Sequence, residues 1–290
     1  MNLVLYCGVI LFWGSSWFAI KFQLGIIPES ISIAWRFYLA SLLLLFFCII
    51  FHKKLIFKIN QIKWIAFQGI FLFCLNYYFI YLGTNYIKTG LVAVIFSSVS
   101  MFVLINGYIF FNEKINFNVF IGAIIGIFGL ILIFNQELRQ YSFNTKLIYG
   151  IILNLIGTYF ASIGMLISQR NQKEKIPLVQ TNLIGMFVGA SFLLILSIST
   201  GNNVSFDFDY KYIYSLLYLS IIGSVLGFGF YLKLLNNIGA GKASYVNVIT
   251  PVIALGISTL YENYNLDLIN SLGLILVIFG NIIIFRKIYA

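Results

Sequence analysis

Ten stretches of this chain stay apolar for the length of a membrane-crossing helix, near residues 3–24, 30–51, 64–82, 89–111, 117–134, 147–168, 179–198, 211–232, 239–260 and 269–285. Runs of about 17 to 25 residues are what an α-helix needs to cross a hydrocarbon core about 30 Å thick. Backbone polar groups in lipid must be satisfied within the spanning element, which leaves helices and closed barrels. A barrel would be written as shorter segments of alternating polarity; these runs are continuous. The expected fold is therefore all-α and integral to the membrane, with ten transmembrane helices. Composition agrees, because 61% of residues are hydrophobic and only 9% charged, too few charges to coat a soluble domain. The first run has no basic residues before it and no small-residue cleavage site, so it is expected to be a retained span.

Net charge is +10, and its distribution reports topology rather than a nucleic-acid partner. With the N-terminus inside, twelve cations fall on inward segments: Lys53, Lys54, Lys58, Lys63, Lys114, Arg170, Lys173, Lys175, Lys233, Lys242, Arg286 and Lys287. Four fall outside: Lys88, Arg139, Lys146 and Lys211. That bias places both termini in the cytoplasm of a cell whose inner or plasma membrane holds the protein. Cys7, Cys48 and Cys74 lie within apolar runs without a paired spacing and read as small hydrophobes.

The chain also repeats itself. "IGAIIGIFG" at 121–129 matches "LGLILVIFG" at 272–280, setting Gly122 and Gly129 beside Gly273 and Gly280; the same offset pairs Gly90 with Gly241 and Ser100 with Pro251. At a second offset Gly8, Leu11, Ser16, Trp17, Phe18 and Ala19 stand beside Gly150, Leu153, Thr158, Tyr159, Phe160 and Ala161. Pro28 and Pro177 each open the next span, where a first helical turn tolerates proline. The units are 1–140 and 141–290, each of five helices. An odd number forces the second copy to enter the bilayer upside down, and inverted repeats are a recurrent construction of secondary transporters.

These segments carry a family likeness. "WGSSWFAIK" at 13–21, "PESISIAWRFYLA" at 28–40, "YLGTNYIKTGLVAVIFSS" at 81–98, "FFNEK" at 110–114 and "GAGKASYVNVITPVIA" at 239–254 resemble the EamA-type transporters of the drug/metabolite transporter superfamily in order, spacing and duplication. The resemblance implies a ten-helix carrier of small organic solutes, often amino acids or related metabolites, often exported. Two departures stand out: Ser100 occupies a position where the family usually has proline, and Glu262 is a poor positional counterpart of Glu113.

Enzyme constellations are missing. The one histidine, His52, sits among lysines at a membrane edge, and all eight carboxylates fall at span ends or in loops. No metal-ligand cluster, phosphate-binding loop or nucleophile–base pair can be read from the sequence, so no metal and no cofactor is expected. A proton-driven carrier usually needs a titratable group in mid-membrane. Without one, facilitated diffusion or exchange is favoured over coupling at an edge carboxylate such as Glu113. Lys21 and Arg36 lie near the outer ends of their spans, where long side chains can snorkel to headgroups, or else serve an outer gate. With no cationic pair in mid-span, a neutral or zwitterionic solute is expected.

The polar lining is uncharged. Trp13, Ser16 and Trp17 lie one turn apart in the first run; Gln68, Asn76, Tyr77 and Tyr81 in the third; Thr89, Ala93, Ser97 and Ser100 in the fourth. Asn154, Thr158, Ala161, Ser162 and Met165 share a face of the sixth, and Ala243, Asn247, Thr250, Ala254 and Ser258 a face of the ninth. The same residues would equally suit helix–helix packing. The expected substrate cavity comprises Trp13, Ser16, Trp17, Asn76, Tyr77, Tyr81, Ser97, Asn154, Thr158, Asn247 and Thr250, with Pro251 and Ser100 as gate or hinge. Spans 5 and 10, rich in glycine and without polar faces, are expected at the periphery or in a dimer contact, the protein being a monomer or homodimer. The glycine pairs Gly122/Gly126, Gly185/Gly189 and Gly223/Gly227 should let helices meet backbone to backbone. The leading expectation is a secondary carrier; a non-transporting membrane subunit and an integral-membrane lipid enzyme are the alternatives.

Overall fold

The computed structural model describes residues 2–25, 27–111, 117–134, 145–238 and 246–286, which are helical or in short connections, with no strand among them. In chain order the helices are α1 (Asn2–Ile20), α2 (Glu29–Ile50), α3 (Ile59–Thr84), α4 (Thr89–Phe96, then Val99–Phe111), α5 (Phe117–Ile133), α6 (Thr145–Lys173) and α7 (Leu178–Ser199). They continue as α8 (Tyr210–Tyr218, Leu219–Leu226 and Gly227–Ile238), α9 (Val246–Tyr261) and α10 (Leu268–Arg286). Seven are long and apolar enough to span a bilayer, and apolar segments of α5, α9 and α10 are shorter. Large side chains such as Phe46, Ile49, Phe128, Ile195 and Ile275 point outward from the bundle, the surface of a multi-pass membrane protein. The residues Glu113 and Ala243, and the Gly241 and Lys242 segment, lie outside the described residues.

Pro28 and Pro177 stand immediately before the first residues of α2 and α7, where their missing N–H breaks no bond. Two features have no signature in the apolar pattern. Gly69–Leu75 within α3 and Leu219–Leu226 within α8 are π-helical. Such wide turns are rare and gather at functional sites. α4 breaks at Ser97–Ser98, where the Ser97 hydroxyl donates to the Val94 carbonyl (2.7 Å) and the Ser98 hydroxyl to Ile95 (2.7 Å). Serine hydroxyls competing for backbone acceptors bend a helix without proline. The break thus falls two or three residues before Ser100, and Ser100 itself donates to Asn281 Oδ1 of α10.

Bare backbone sets the tightest crossings. A Cβ on Gly129 would lie 2.7 Å from the Gly273 carbonyl oxygen, and one on Gly280 2.6 Å from that of Gly122. α5 and α10 therefore pack against each other through their glycine faces. A Cβ on Gly189 would stand 2.8 Å from the Gly69 carbonyl oxygen, so α3 and α7 also meet backbone to backbone. Gly223 and Gly227 behave differently from expectation. They make room for side chains of α1 and α2, since a Cβ there would meet Ser16 Oγ (2.8 Å) and Trp13 Nε1 (2.5 Å).

Polar side chains tie both ends of the bundle. At the end bearing Glu29, Gln23 donates to Tyr212 O (3.0 Å) and Ser215 Oγ (2.6 Å), Ser32 donates to Gln23 O (3.1 Å), and Asn85 donates to Glu29 (2.7 Å). At the other end Gln68 bridges α3 to Asn182 of α7 (3.3 Å) and Asn171 of α6 (3.0 Å).

Candidate substrate cavity

Between α1, α2, α3, α4, α6, α8 and α9 lies a cavity with about 640 Å³ of space free of protein atoms, open in part; the centre of a water molecule can occupy about 50 Å³ of it. In this conformation it is narrow, with room for a few waters. Seven of the expected residues line it: Trp13, Ser16, Trp17, Asn76, Tyr77, Asn247 and Thr250. Trp13 donates through Nε1 to the Gly223 carbonyl (3.2 Å) and packs on Tyr231 (ring centroids 4.9 Å apart), while Trp17 packs on Phe96 (5.2 Å).

The other four lie elsewhere. Tyr81 sits behind the wall, fully buried. Neither Asn154 nor Thr158 lines the cavity, and both are fully buried. Asn154 Nδ2 donates to Gly150 O (2.8 Å) and Thr158 to Asn154 O (2.7 Å). A Cβ on Gly83 of α3 would run into the Asn154 amide. Only Met165 of that polar face reaches the cavity. The physical reason is close packing: α6 presses its small and amide-bearing face onto Gly83 and Ile80, leaving no gap. Ser97 is spent on the bend of α4, and Ser258 on a carboxylate described below. Pro251 stays within a continuous α9, buried, beside the two cavity residues of that helix.

The residue the sequence reading placed wrongly is Arg36. It lies about 10 Å along α2 from Glu29, at 1.5 Å per residue, and does not snorkel. It is 2% exposed and lines the cavity. Nε donates to Ser224 Oγ (3.1 Å), Nη1 to Tyr81 Oη (3.3 Å), and the guanidinium carbon sits 4.6 Å from the Tyr77 ring centroid. Ser220 of the π-helical segment in turn donates to the Arg36 carbonyl (3.0 Å). The wide turn of α8 thus presents Ser220, Gly223 and Ser224 to one arginine, and Gly223 leaves space beside Nη2. A usable signal existed: Ser32 and Ala40, one turn either side of Arg36, are small, whereas the lipid-facing positions Leu42, Phe46 and Ile49 are large. Burying a guanidinium at membrane depth costs about 2.5–3.5 kcal/mol on insertion scales; a desolvated cation–π contact returns about 2.

A second charged cluster lies towards the Glu29 end of the bundle. Glu262, whose side chain is 5% exposed, sits on the N-terminus of α4: Oε2 accepts from the Thr89 backbone N–H (3.0 Å), Thr89 Oγ1 (2.8 Å) and Ser258 Oγ (2.7 Å). Its other oxygen is 3.5 Å from Lys21 Nζ, an ion pair. Beside it Lys88 Nζ donates to the Asn263 carbonyl (2.9 Å). A carboxylate on a helix N-terminus meets unpaired donors and the positive end of the dipole. Here it joins α1, α4 and α9.

Long apolar helices around a partly open cavity lined by aromatic and polar side chains define a membrane protein of transporter type. The comparisons name its family: the chain belongs to the EamA-like transporter family, whose sequence profile matches residues 1–135 and again 148–286. The uncharacterized transporter YoaV of Bacillus subtilis is 27% identical over 94% of this chain and 92% of its own length. Protein PagO of Salmonella typhimurium is 27% identical over 96% and 90%. An uncharacterized transporter of Archaeoglobus fulgidus is 28% identical over 96% of both. One solved crystal structure superposes at TM-score 0.69 over 100% of this chain and 99% of that one, at 12% identity, a likeness of fold alone.

Proposed function

We propose that the protein is a secondary transporter that carries a small neutral or zwitterionic organic solute, an amino acid or related metabolite, by alternating access. In this reading ten spans form two inverted five-helix halves, 1–140 and 141–290, in the cell membrane with both termini cytoplasmic. The observation that carries it is the cavity itself. Its lining comes from α1, α2, α3 and α4 of one half and α6, α8 and α9 of the other, where inverted-repeat transporters place their substrate.

Three further observations support the halves. The family profile matches twice in tandem. The π-helical segments begin at Gly69 and Leu219, equivalent positions in the third helix of each half. The glycine contacts are reciprocal: Gly122 meets Gly280 and Gly129 meets Gly273, so exchanging each glycine for its repeat partner returns the same two contacts. A two-fold axis between α5 and α10 requires that.

Flux in proteoliposomes tests the cavity. Asn247→Ala removes a buried amide (4% exposed) from the wall and is expected to lower solute flux at least tenfold, with insertion and yield unchanged; wild-type flux would refute the assignment. Topology has its own check. Single cysteines at Lys63 and Lys173, with Cys7 replaced, should be labelled from one side of the membrane and a cysteine at Lys88 from the other.

A further inference from the structure

The cavity wall holds one full charge that no described residue neutralises. No carboxylate of the described residues lies within ion-pair distance of Arg36. Its neighbours are two hydroxyls and two aromatic rings, of Tyr77 (4.6 Å) and Phe37 (5.2 Å). These orient the guanidinium and leave its charge standing. Arginine stays protonated at any accessible pH and presents a planar fork suited to a carboxylate. A buried cation without a counter-ion is the costly half of an ion pair.

Two further atoms of the same wall lack a hydrogen-bond partner among the described residues, the Trp17 indole Nε1 and Asn76 Oδ1. The amide orientation of Asn76 is set by Nδ2, which donates to the Leu72 carbonyl (3.1 Å). The residues of one wall therefore carry a cation and an N–H donor suited to an anionic oxygen, and a carbonyl acceptor suited to an N–H or O–H group, the last two atoms being buried in this conformation. The second half has no equivalent charge: Gly185, which follows Pro177 as closely as Arg36 follows Pro28, packs against Phe73 and Gly69.

Building on the carrier reading above, we infer that Arg36 is the anion-binding point of the cavity and that the solute carries one carboxylate-type negative group docked on it. A neutral solute is thereby disfavoured; a zwitterion and a simple organic monoanion both satisfy the arginine. The zwitterion in addition supplies a donor to Asn76 Oδ1.

Matched probes test this on the purified full-length protein. Leucine, 4-methylpentanoate and leucinamide differ only at the carboxylate and the amine, as do phenylalanine, 3-phenylpropanoate and phenylalaninamide. A ligand of the folded state raises its melting temperature. The acids are expected to raise it in wild type and the amides to leave it unchanged, with the amino acid above its desamino partner where Asn76 takes part. Arg36→Gln should weaken acid binding by roughly thirtyfold or more, the loss typical of truncating one side of a buried charge pair. Arg36→Lys keeps the charge without the fork and should retain the acid-over-amide preference at lower affinity, which answers the objection that the glutamine variant misfolds. Amides stabilising wild type as well as acids, no probe stabilising it, or an undiminished acid preference in Arg36→Gln would each overturn the inference. Stabilisation by acids with no flux of any probe in liposomes would uphold the anion site and sink the carrier reading. Flux of amides as fast as acids would do the reverse.

Discussion

Leucine in place of Gly69 is expected to leave little folded protein. At this crossing α3 and α7 touch through backbone, and a Cβ on Gly69 would fall inside contact distance of the Gly185 carbonyl oxygen and 3.1 Å from its Cα. No side chain there can swing aside, so relief requires the helices to part. Overpacking a fitted interior costs about 1–3 kcal/mol even where side chains can adjust, and a leucine on bare backbone exceeds that range. Gly69 also opens the π-helical turn of α3, which places Leu72, Asn76 and Tyr77 on the cavity. In detergent the melting temperature should fall by roughly 10 °C, taking about 3 °C per kcal/mol for a chain of this size. Alanine should show an intermediate loss. Gly256 is the control, because a Cβ there meets nothing within 4 Å; Gly256→Ala should be neutral or slightly stabilising, since alanine is the better helix former. Equal effects at both positions would disprove the backbone crossing.

The second large effect is expected at Glu262. Its carboxylate holds Thr89 by two bonds, Ser258 by one and Lys21 by charge, so it fastens the ends of α1, α4 and α9 together. Hydrogen bonds to a charged group contribute about 1.5–3 kcal/mol each. Removing the set with Glu262→Ala takes several kcal/mol from the closed arrangement, enough to move a two-state equilibrium by about a hundredfold. The reporter is Ile20, a cavity-wall residue next to Lys21 and 2% exposed. With Cys7 replaced, Ile20→Cys should resist an impermeant thiol reagent in the parent. In Glu262→Ala it should react far faster, from the side where Lys88→Cys reacts. Glu262→Gln keeps hydrogen-bonding capacity without charge and should fall between. Unchanged reactivity in Glu262→Ala would mean that the cluster closes nothing.

Much of this architecture was legible as periodicity. Helix positions followed from apolar run length, and the prolines at 28 and 177 marked two starts within a residue. Glycines at a fixed offset anticipated both α5 and α10, though not that they would pair with each other. What failed was direction. A polar stripe on a membrane helix says only that the stripe avoids lipid; α6 turned Asn154 and Thr158 into packing, while α1 and α9 turned theirs into cavity. Arg36 was misplaced because counting residues gives depth, not the identity of the neighbour, and the π-helical turn of α8 that receives it leaves no trace in hydropathy. Glu262 was underrated for a similar reason. Its partners come from three helices far apart in sequence, and no spacing rule links Lys21, Thr89 and Glu262.

In the proposed two-half arrangement the guanidinium of the first half has only a glycine, Gly185, as its opposite number, so such machinery would be two-fold while its electrostatics would not. If the protein works as proposed, the empty carrier holds one positive charge that no described residue compensates where the transmembrane voltage drops, and a carrier occupied by a monoanion holds none. Across a full bilayer one such charge is worth about 2.3 kcal/mol per 100 mV. With a monoanionic solute, voltage would therefore act mainly on the return of the vacant protein, making import and export unequal partners, whereas with a zwitterion it would act on both limbs of the cycle alike.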